Sequence, residues 1–228
     1  LDISVGDSYL GGLSILPQDG ADCGAGTKEL ELETDASVPD AASGDGGSSA
    51  GGFPTHEQDH SLSCEYASIQ VVTTWFGSPI WEDESLAMVP SAVDPHYGFR
   101  GDIDGPFGSS DDYGVYAEAL VPVLNAYGYN GDVWYGADAG SLEAQLDAGH
   151  PTLIWIATRG DTGFYDEDAN GNTFKLVPWE HVVVAYAYDS GGVYISDPGT
   201  GALDYLSWGW TLDAWSVLDG MALSIYPA

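Results

Sequence analysis

The spacing of apolar residues changes partway along this chain of 228 residues, and that change sets its fold class. Between Ser61 and Phe76 the apolar residues recur at three- and four-residue steps, which predicts an amphipathic helix that ends at Gly77. Weaker helical patterns follow at residues 82–89, 114–127, 141–147 and 207–218. Strand patterns dominate afterwards, at residues 132–135, 151–158, 174–178, 181–188, 193–196, 202–206 and 221–226. Helices followed by an antiparallel sheet indicate an α+β domain.

Cys64 stands near the start of the first predicted helix, and Gln58 precedes it in the segment Gln58-Asp-His-Ser-Leu-Ser-Cys64. The unpaired N–H groups and the positive dipole end of a helix favour a thiolate over a thiol, and they also favour negative charge on a carbonyl under attack. We therefore expect a nucleophile whose pKa is lowered, with Gln58 as half of an oxyanion hole. Taken alone, Cys64 has the alternative role of a small buried apolar residue in a helix.

A base and its orienting carboxylate are predicted farther along the chain. His181 opens an apolar run that is typical of a buried strand, and Asp197 ends the next short strand after the turn at residues 189–192. Such a hairpin brings the start of its first strand opposite the end of its second, so His181 and Asp197 are expected to be neighbours. Cys, His and Asp, with a Gln upstream of the Cys, fit a nucleophile, a general base, an orienter and an oxyanion donor.

These segments resemble the bacteriocin-processing peptidases that cleave double-glycine leaders. The resemblance covers roughly residues 53–228 and is closer to the stand-alone secreted branch of that family, number thirty-nine among the cysteine peptidases. It is carried by residues 58–68, 98–105, 112–120, 180–181 and 196–198. The resemblance implies a papain-like α+β fold, in which an N-terminal catalytic helix packs on an antiparallel sheet.

The resemblance also implies a role for each candidate site residue. It makes Cys64 the nucleophile, His181 the base and Asp197 the orienter, and it makes Gln58 the oxyanion donor of a cysteine peptidase acting on a peptide or protein. Transporter-linked members usually carry Cys-Gly after an Asp, whereas this chain has Ser63-Cys64-Glu65. Cleavage after a double glycine is therefore not expected to transfer with the fold.

The charge balance excludes several kinds of partner. The chain has 36 Asp and Glu against 4 Lys and Arg, a formal net charge of -32, so phosphate backbones and anionic membrane surfaces would repel it. We expect no nucleic-acid partner, and the absence of a long apolar run predicts no membrane span. A high-salt habitat, bound divalent cations and a solubilising extracellular coat are three alternative reasons for the acidity.

Composition divides the chain into three parts. Residues 1–34 alternate weakly and predict a strand-like N-terminal arm, residues 35–52 form a linker rich in Gly, Ser and Asp, and residues 53–228 form the peptidase domain. The chain begins at Leu1, which fits a secreted, extracellular protein after removal of a signal or pro-segment. Cys23 has three alternative roles, as an inert thiol, as one partner of an intermolecular disulfide, or as a latch on Cys64.

Two further hypotheses come from other parts of the sequence. The arm at residues 1–34 can add a strand to the sheet of a neighbouring subunit, so an extracellular filament-forming protein with a peptidase-like fold is the alternative function. Asp166, Asp168 and Asn170 match the opening of a calcium loop, although Val177 stands where its final Glu belongs. An acidic hairpin turn is the alternative reading of these residues.

Overall fold

A computed structural model describes residues 52–136 and 138–228. The predicted N-terminal arm (1–34), the linker up to residue 51 and Cys23 lie outside the described residues. The structure of the arm, assembly through it and the role of Cys23 therefore stay predictions.

The described part of the chain contains five α-helices and eight β-strands. The helices are α1 (Cys64–Trp75), α2 (Glu82–Met88), α3 (Ala117–Ala126), α4 (Ala139–Asp147) and α5 (Trp208–Ser216). The strands are β1 (Tyr129–Trp134), β2 (Thr152–Ala157), β3 (Phe164–Glu167), β4 (Thr173–Leu176), β5 (Glu180–Tyr188), β6 (Gly192–Asp197), β7 (Ala202–Ser207) and β8 (Ala222–Pro227).

The main sheet has six strands in the order β1-β8-β2-β5-β6-β7, and every neighbouring pair is antiparallel. Its central strand β5 is buried on both faces, because Val182 and Val184 join one apolar core while Val183 and Ala185 join another. The first core also contains side chains of α1 and α3, and the second contains side chains of α4 and α5. The continuous apolar run after His181 therefore reflects a strand covered by helices on both sides.

The helices and strands predicted from the sequence all form, with shifted ends. Helix α1 starts at Cys64 rather than Ser61, and Gly77, with a φ of 84°, follows its end as expected. Helix α3 starts at Ala117 because Gly114 pairs with Arg100 in an isolated β-bridge, and Pro122 lies inside this helix. Strand β3, which was not predicted, is mostly exposed and pairs with β4 in a separate two-stranded sheet.

No helix among the described residues combines the length and the apolarity that a bilayer crossing needs.

Candidate active site

The β5–β6 hairpin joins His181 to Asp197. The Nε2 atom of His181 lies 2.6 Å from Oδ1 of Asp197, and the two side chains are almost completely buried. The turn before β6 closes through a hydrogen bond of 2.9 Å from Asp189 N–H to the Gly192 carbonyl. The predicted neighbourhood of His181 and Asp197 is thus confirmed.

Asp197 is held as a carboxylate although it is buried. Its Oδ1 also accepts a hydrogen bond of 2.8 Å from the backbone N–H of Gly199. Burial acts to raise the pKa of Asp197, but the hydrogen bond from His181 and the N–H of Gly199 hold that pKa below its ordinary value. Since Nε2 of His181 is bound to Asp197, Nδ1 is the nitrogen left to exchange a proton with a nucleophile.

Cys64 is the first residue of α1, and its side chain is 5% exposed and free of a disulfide. The helix lacks a side-chain cap at Ser63, whose hydroxyl instead donates to the His60 carbonyl at 3.1 Å. Backbone N–H groups at a helix start have no carbonyl partner inside the helix, so the Cys64 N–H is suited to bind an anion or oxyanion. The thiol itself donates to Oε2 of Glu65 at 3.4 Å.

Two carboxyls that had no predicted role lie beside this thiol. Glu65 is completely buried and Glu180 is 4% exposed. Burial is the main reason that the pKa values of both carboxyls are raised, that of Glu65 to about 7, and the charge on Glu65 raises the pKa of Glu180 further. In the sequence, Glu65 follows Cys64 and Glu180 precedes His181. This adjacency was the only sequence feature that could have pointed to either carboxyl.

The expected acidity of the thiol is wrong in this structure. Burial raises the pKa of Cys64 well above its ordinary value, and the charges of Glu65 and Glu180 raise it further. A backbone hydrogen bond from Val182 acts in the opposite direction without offsetting these effects. The helix start alone therefore does not decide the acidity of Cys64, because two acidic side chains face the same sulfur.

Gln58 lies in the loop before α1, but its amide does not face an open oxyanion site. Its Nε2 donates to the carbonyls of His60 at 2.8 Å and Ser61 at 3.0 Å, while its buried Oε1 has no partner among the described residues. The Gln58 backbone N–H donates to the Pro198 carbonyl at 2.9 Å. This bond ties the Gln58 loop to the residue that follows Asp197.

The loop at residues 98–112 contacts both the loop before Cys64 and the His181 ring. The Leu62 N–H donates to the Ile103 carbonyl at 3.0 Å, and the Phe107 ring stands edge-on to the His181 ring with the centroids 6.2 Å apart. His60 Nδ1 lies 2.9 Å from a carboxylate oxygen of Asp104, and this hydrogen bond raises the pKa of His60. These contacts place the acidic loop beside both the segment before Cys64 and the His181 ring.

The predicted calcium-loop residues have other partners in the described chain. Asp166 pairs with Arg100 at 2.9 Å, and Asp168 accepts the backbone N–H groups of Asn170 and Asn172 at 2.8 and 2.9 Å. Such bonds are typical of a tight acidic turn, here between β3 and β4. The calcium hypothesis stays a prediction.

Among the described residues, His56, Asp59 and Glu82 form one of two groups of side chains whose donors could hold a metal ion. His56 Nε2 lies 2.8 Å from a carboxylate oxygen of Glu82 and 3.9 Å from Asp59. The backbone N–H of Asp59 also donates to the Glu82 carboxylate at 3.0 Å. The buried Glu82 is therefore already bonded, and its contacts fix the loop before Gln58 against α2.

The fold resembles those of solved peptidase structures. A C39-like peptidase from Bacillus anthracis superposes with a TM-score of 0.67 at 22% identity, covering 77% of this chain and 95% of that one. The peptidase domain of Streptococcus ComA, a bifunctional ABC transporter of a quorum-sensing pathway, superposes with a TM-score of 0.52 at 15% identity, covering 78% of this chain and 100% of that domain. No match was found among the curated proteins. These likenesses confirm the expected α+β fold.

The family comparison agrees with the fold. Residues 52–217 match the Peptidase_C39 like family, a stretch that includes the predicted peptidase domain up to the end of α5. The chain therefore belongs to the C39-like peptidase family and is by class a cysteine peptidase.

Proposed function

We propose that this protein is a secreted cysteine peptidase in which Cys64 attacks the peptide carbonyl, His181 carries the proton and Asp197 orients the base. The observation that carries the proposal is the 2.6 Å bond between His181 and Asp197, at the entrance of the strand against which the Cys64 helix packs. A buried carboxylate that binds Nε2 fixes the tautomer and stabilises the imidazolium formed during catalysis. The family and its peptidase fold support this assignment.

The proposed reaction proceeds through an acyl-enzyme. The Cys64 sulfur forms a bond to the carbonyl carbon as its proton moves to Nδ1 of His181, and the carbonyl electron pair moves onto oxygen. His181 then protonates the leaving amine, which yields a thioester. Water attacks that thioester with His181 as the base, which releases the acid and restores the thiol.

The oxyanion would be held by the Cys64 backbone N–H and by Gln58. The Cys64 N–H supports the proposal because it lies at a helix start where Ser63 provides no side-chain cap, so no helix carbonyl is its acceptor. Gln58 stands in the adjacent loop, but its amide donates to two backbone carbonyls. Its part in catalysis requires the substrate oxygen to replace one of those carbonyls as acceptor.

A peptide or protein with neutral or basic side chains is the proposed substrate. Asp102, Asp104 and Asp111 are exposed on the loop that flanks His181. Their charges would repel acidic peptides and attract cationic ones over a Debye length of about 8 Å at physiological salt.

The proposal is tested by exposing the protein to a proteome-derived peptide library and identifying new termini by mass spectrometry. We expect cleavage by the natural sequence and none by Cys64→Ala or His181→Ala. Asp197→Asn keeps the shape but loses the charge, so we expect a loss of roughly 10²–10⁴-fold in kcat/KM, the usual contribution of a positioned acid–base group. Full activity in Cys64→Ala or His181→Ala would refute the mechanism.

A further inference from the structure

Three ionisable side chains meet behind the start of α1, and the proposed reaction uses only one of them. The sulfur of Cys64 and an oxygen from each of Glu65 and Glu180 all lie within 4.8 Å of one another. The three side chains are between 0% and 5% exposed. Carboxyls are rarely buried this deeply without a cationic partner, and neither forms an ion pair with Lys or Arg among the described residues.

Strand β5 explains why Glu180 lies beside the sulfur. Successive side chains of a strand point to opposite faces, so Glu180 shares the face of Val182, which packs in the same core as Cys64. His181 stands between them in the sequence, and its ring is bonded to Asp197 on β6. The hydrogen bond of the thiol goes to Glu65.

The Glu65 carboxyl is held in place by three neighbours. Its Oε1 accepts the Val115 backbone N–H at 2.8 Å, and its Oε2 accepts the Cys64 thiol at 3.4 Å. A Cβ atom at position 114 would clash with Oε1, so the glycine there provides the space that the carboxyl occupies. Both oxygens of Glu65 thus act as acceptors, which is the arrangement of an ionised carboxylate.

Glu180 has the opposite character. Its Oε1 is buried and has no hydrogen-bond partner among the described residues. Two carboxylates this close in an apolar site cannot both be ionised, so one proton stays on the pair. The other ionisable groups that face the pair are His181, Tyr66, Tyr113 and Tyr116.

We propose that Cys64 rests as a neutral thiol whose hydrogen is held by Glu65, and that Glu65 and Glu180, with one proton between them, are positioning residues that delay ionisation of the nucleophile. The inference rests on the proposed function, in which Cys64 is the nucleophile. When the thiol turns to His181, its proton passes to Nδ1 as the sulfur attacks, and Glu65 keeps its charge. The resting enzyme therefore lacks the thiolate–imidazolium pair expected from a helix start beside a histidine.

A neutral buried thiol has a practical consequence for a secreted enzyme. Oxidants and alkylating agents react with the thiolate, so a thiol that stays protonated resists both. The raised pKa values of Cys64 and of both carboxyls agree with this resting state.

The pH dependence of alkylation by iodoacetamide tests the inference, with modification read at the Cys64 peptide by mass spectrometry so that Cys23 does not contribute. We expect one rise whose midpoint lies above about 8.5, the value of a free thiol. Glu65→Gln removes the facing charge, so we expect its midpoint to fall by about one pH unit, which makes alkylation about tenfold faster at neutral pH. Glu180→Gln, which imitates the protonated acid, should change the rate less than Glu65→Gln does.

Glu118→Gln is the matched control, because Glu118, like Glu180, has one buried oxygen without a partner among the described residues, but it lies on α3, where its other oxygen accepts the Tyr135 hydroxyl. We expect its profile to follow that of the natural sequence. Full-rate alkylation of the natural sequence down to about pH 5, where an ion pair would still hold a thiolate, would overturn the inference without any variant. A Glu65→Gln profile equal to that of Glu118→Gln would also overturn it. Alkylation needs no substrate, so a failure to cleave peptides would refute the proposed function separately.

Discussion

At the scale of single residues, the buried pair of Glu65 and Glu180 should make the free energy of unfolding depend on pH in a way that surface carboxyls do not. A carboxyl whose pKa is higher in the folded state than in the unfolded state binds more protons when folded at pH values between the two. The folded state then loses stability as the pH rises from about 4.3, the ordinary carboxyl value, through the raised pKa. The pH range of this loss extends past neutrality, because the pKa of Glu65 is about 7 and that of Glu180 is also raised.

Glu180→Gln should remove much of this loss. We expect the variant to gain about 1–3 kcal/mol in free energy of unfolding near pH 8, the range for relieving a buried uncompensated polar group, and less near pH 4. Urea unfolding at several pH values measures the gain. Glu118→Gln also removes one negative charge, so it corrects the measured gain for the relief of repulsion among the many acidic side chains. A gain for Glu180→Gln that did not grow with pH would contradict the shared proton.

The pairing of His181 with Asp197 was easier to predict from the sequence than the surroundings of Cys64 and Gln58. His181 and Asp197 could be paired because a short turn fixes which strand ends meet. The acidity of Cys64 could not be predicted, because Glu180 is remote in the sequence and only the folded sheet brings it to the sulfur. The direction of the Gln58 amide depends on two nearby carbonyls, which no pattern reveals.

At the scale of elements, the β5–β6 hairpin brings His181, the proposed base, to Asp197. Its turn depends on Asp189, whose carboxylate accepts the N–H groups of Gly191 and Gly192 and the hydroxyls of Tyr194 and Tyr205. These hydrogen bonds hold the pKa of Asp189 below its ordinary value, and the bond from Tyr205 has the largest effect. The hairpin was predictable because turn residues separate two apolar runs, whereas exposed β3 lacks an apolar face and was missed.

Asp189→Ala should loosen this hairpin without altering the chemistry at Cys64. We expect Tm to fall by about 2–4 °C, a typical change for loss of a modest interaction in a domain of this size. Asp189→Asn retains one acceptor oxygen, so its Tm should lie between those of the natural sequence and Asp189→Ala. Thermal unfolding followed by circular dichroism gives Tm, and the iodoacetamide profile serves as the check on the site. A large shift of that profile would mean that the turn controls the position of the thiol.

At the scale of the whole molecule, the net charge of -32 is the dominant property. Such a charge destabilises a compact state through self-repulsion, and salt relieves it because the Debye length falls from about 10 Å at 0.1 M to about 3 Å at 1 M. A surface adapted to salt, to calcium or simply to solubility would respond differently to added ions. The three explanations of the acidity can therefore be separated by experiment.

Screening predicts that Tm rises with sodium chloride up to about 1 M and that calcium chloride has no added effect at equal ionic strength. Specific binding at Asp166, Asp168 and Asn170 predicts an extra rise with calcium that saturates and disappears in Asp168→Asn. Asp161→Asn, at a carboxylate near the same hairpin that caps the Gly163 N–H, is the matched control for loss of one charge. A Tm that is indifferent to both salts would reject screening and calcium together, because neither can stabilise the fold without raising Tm, and would leave solubility as the reason for the acidic surface.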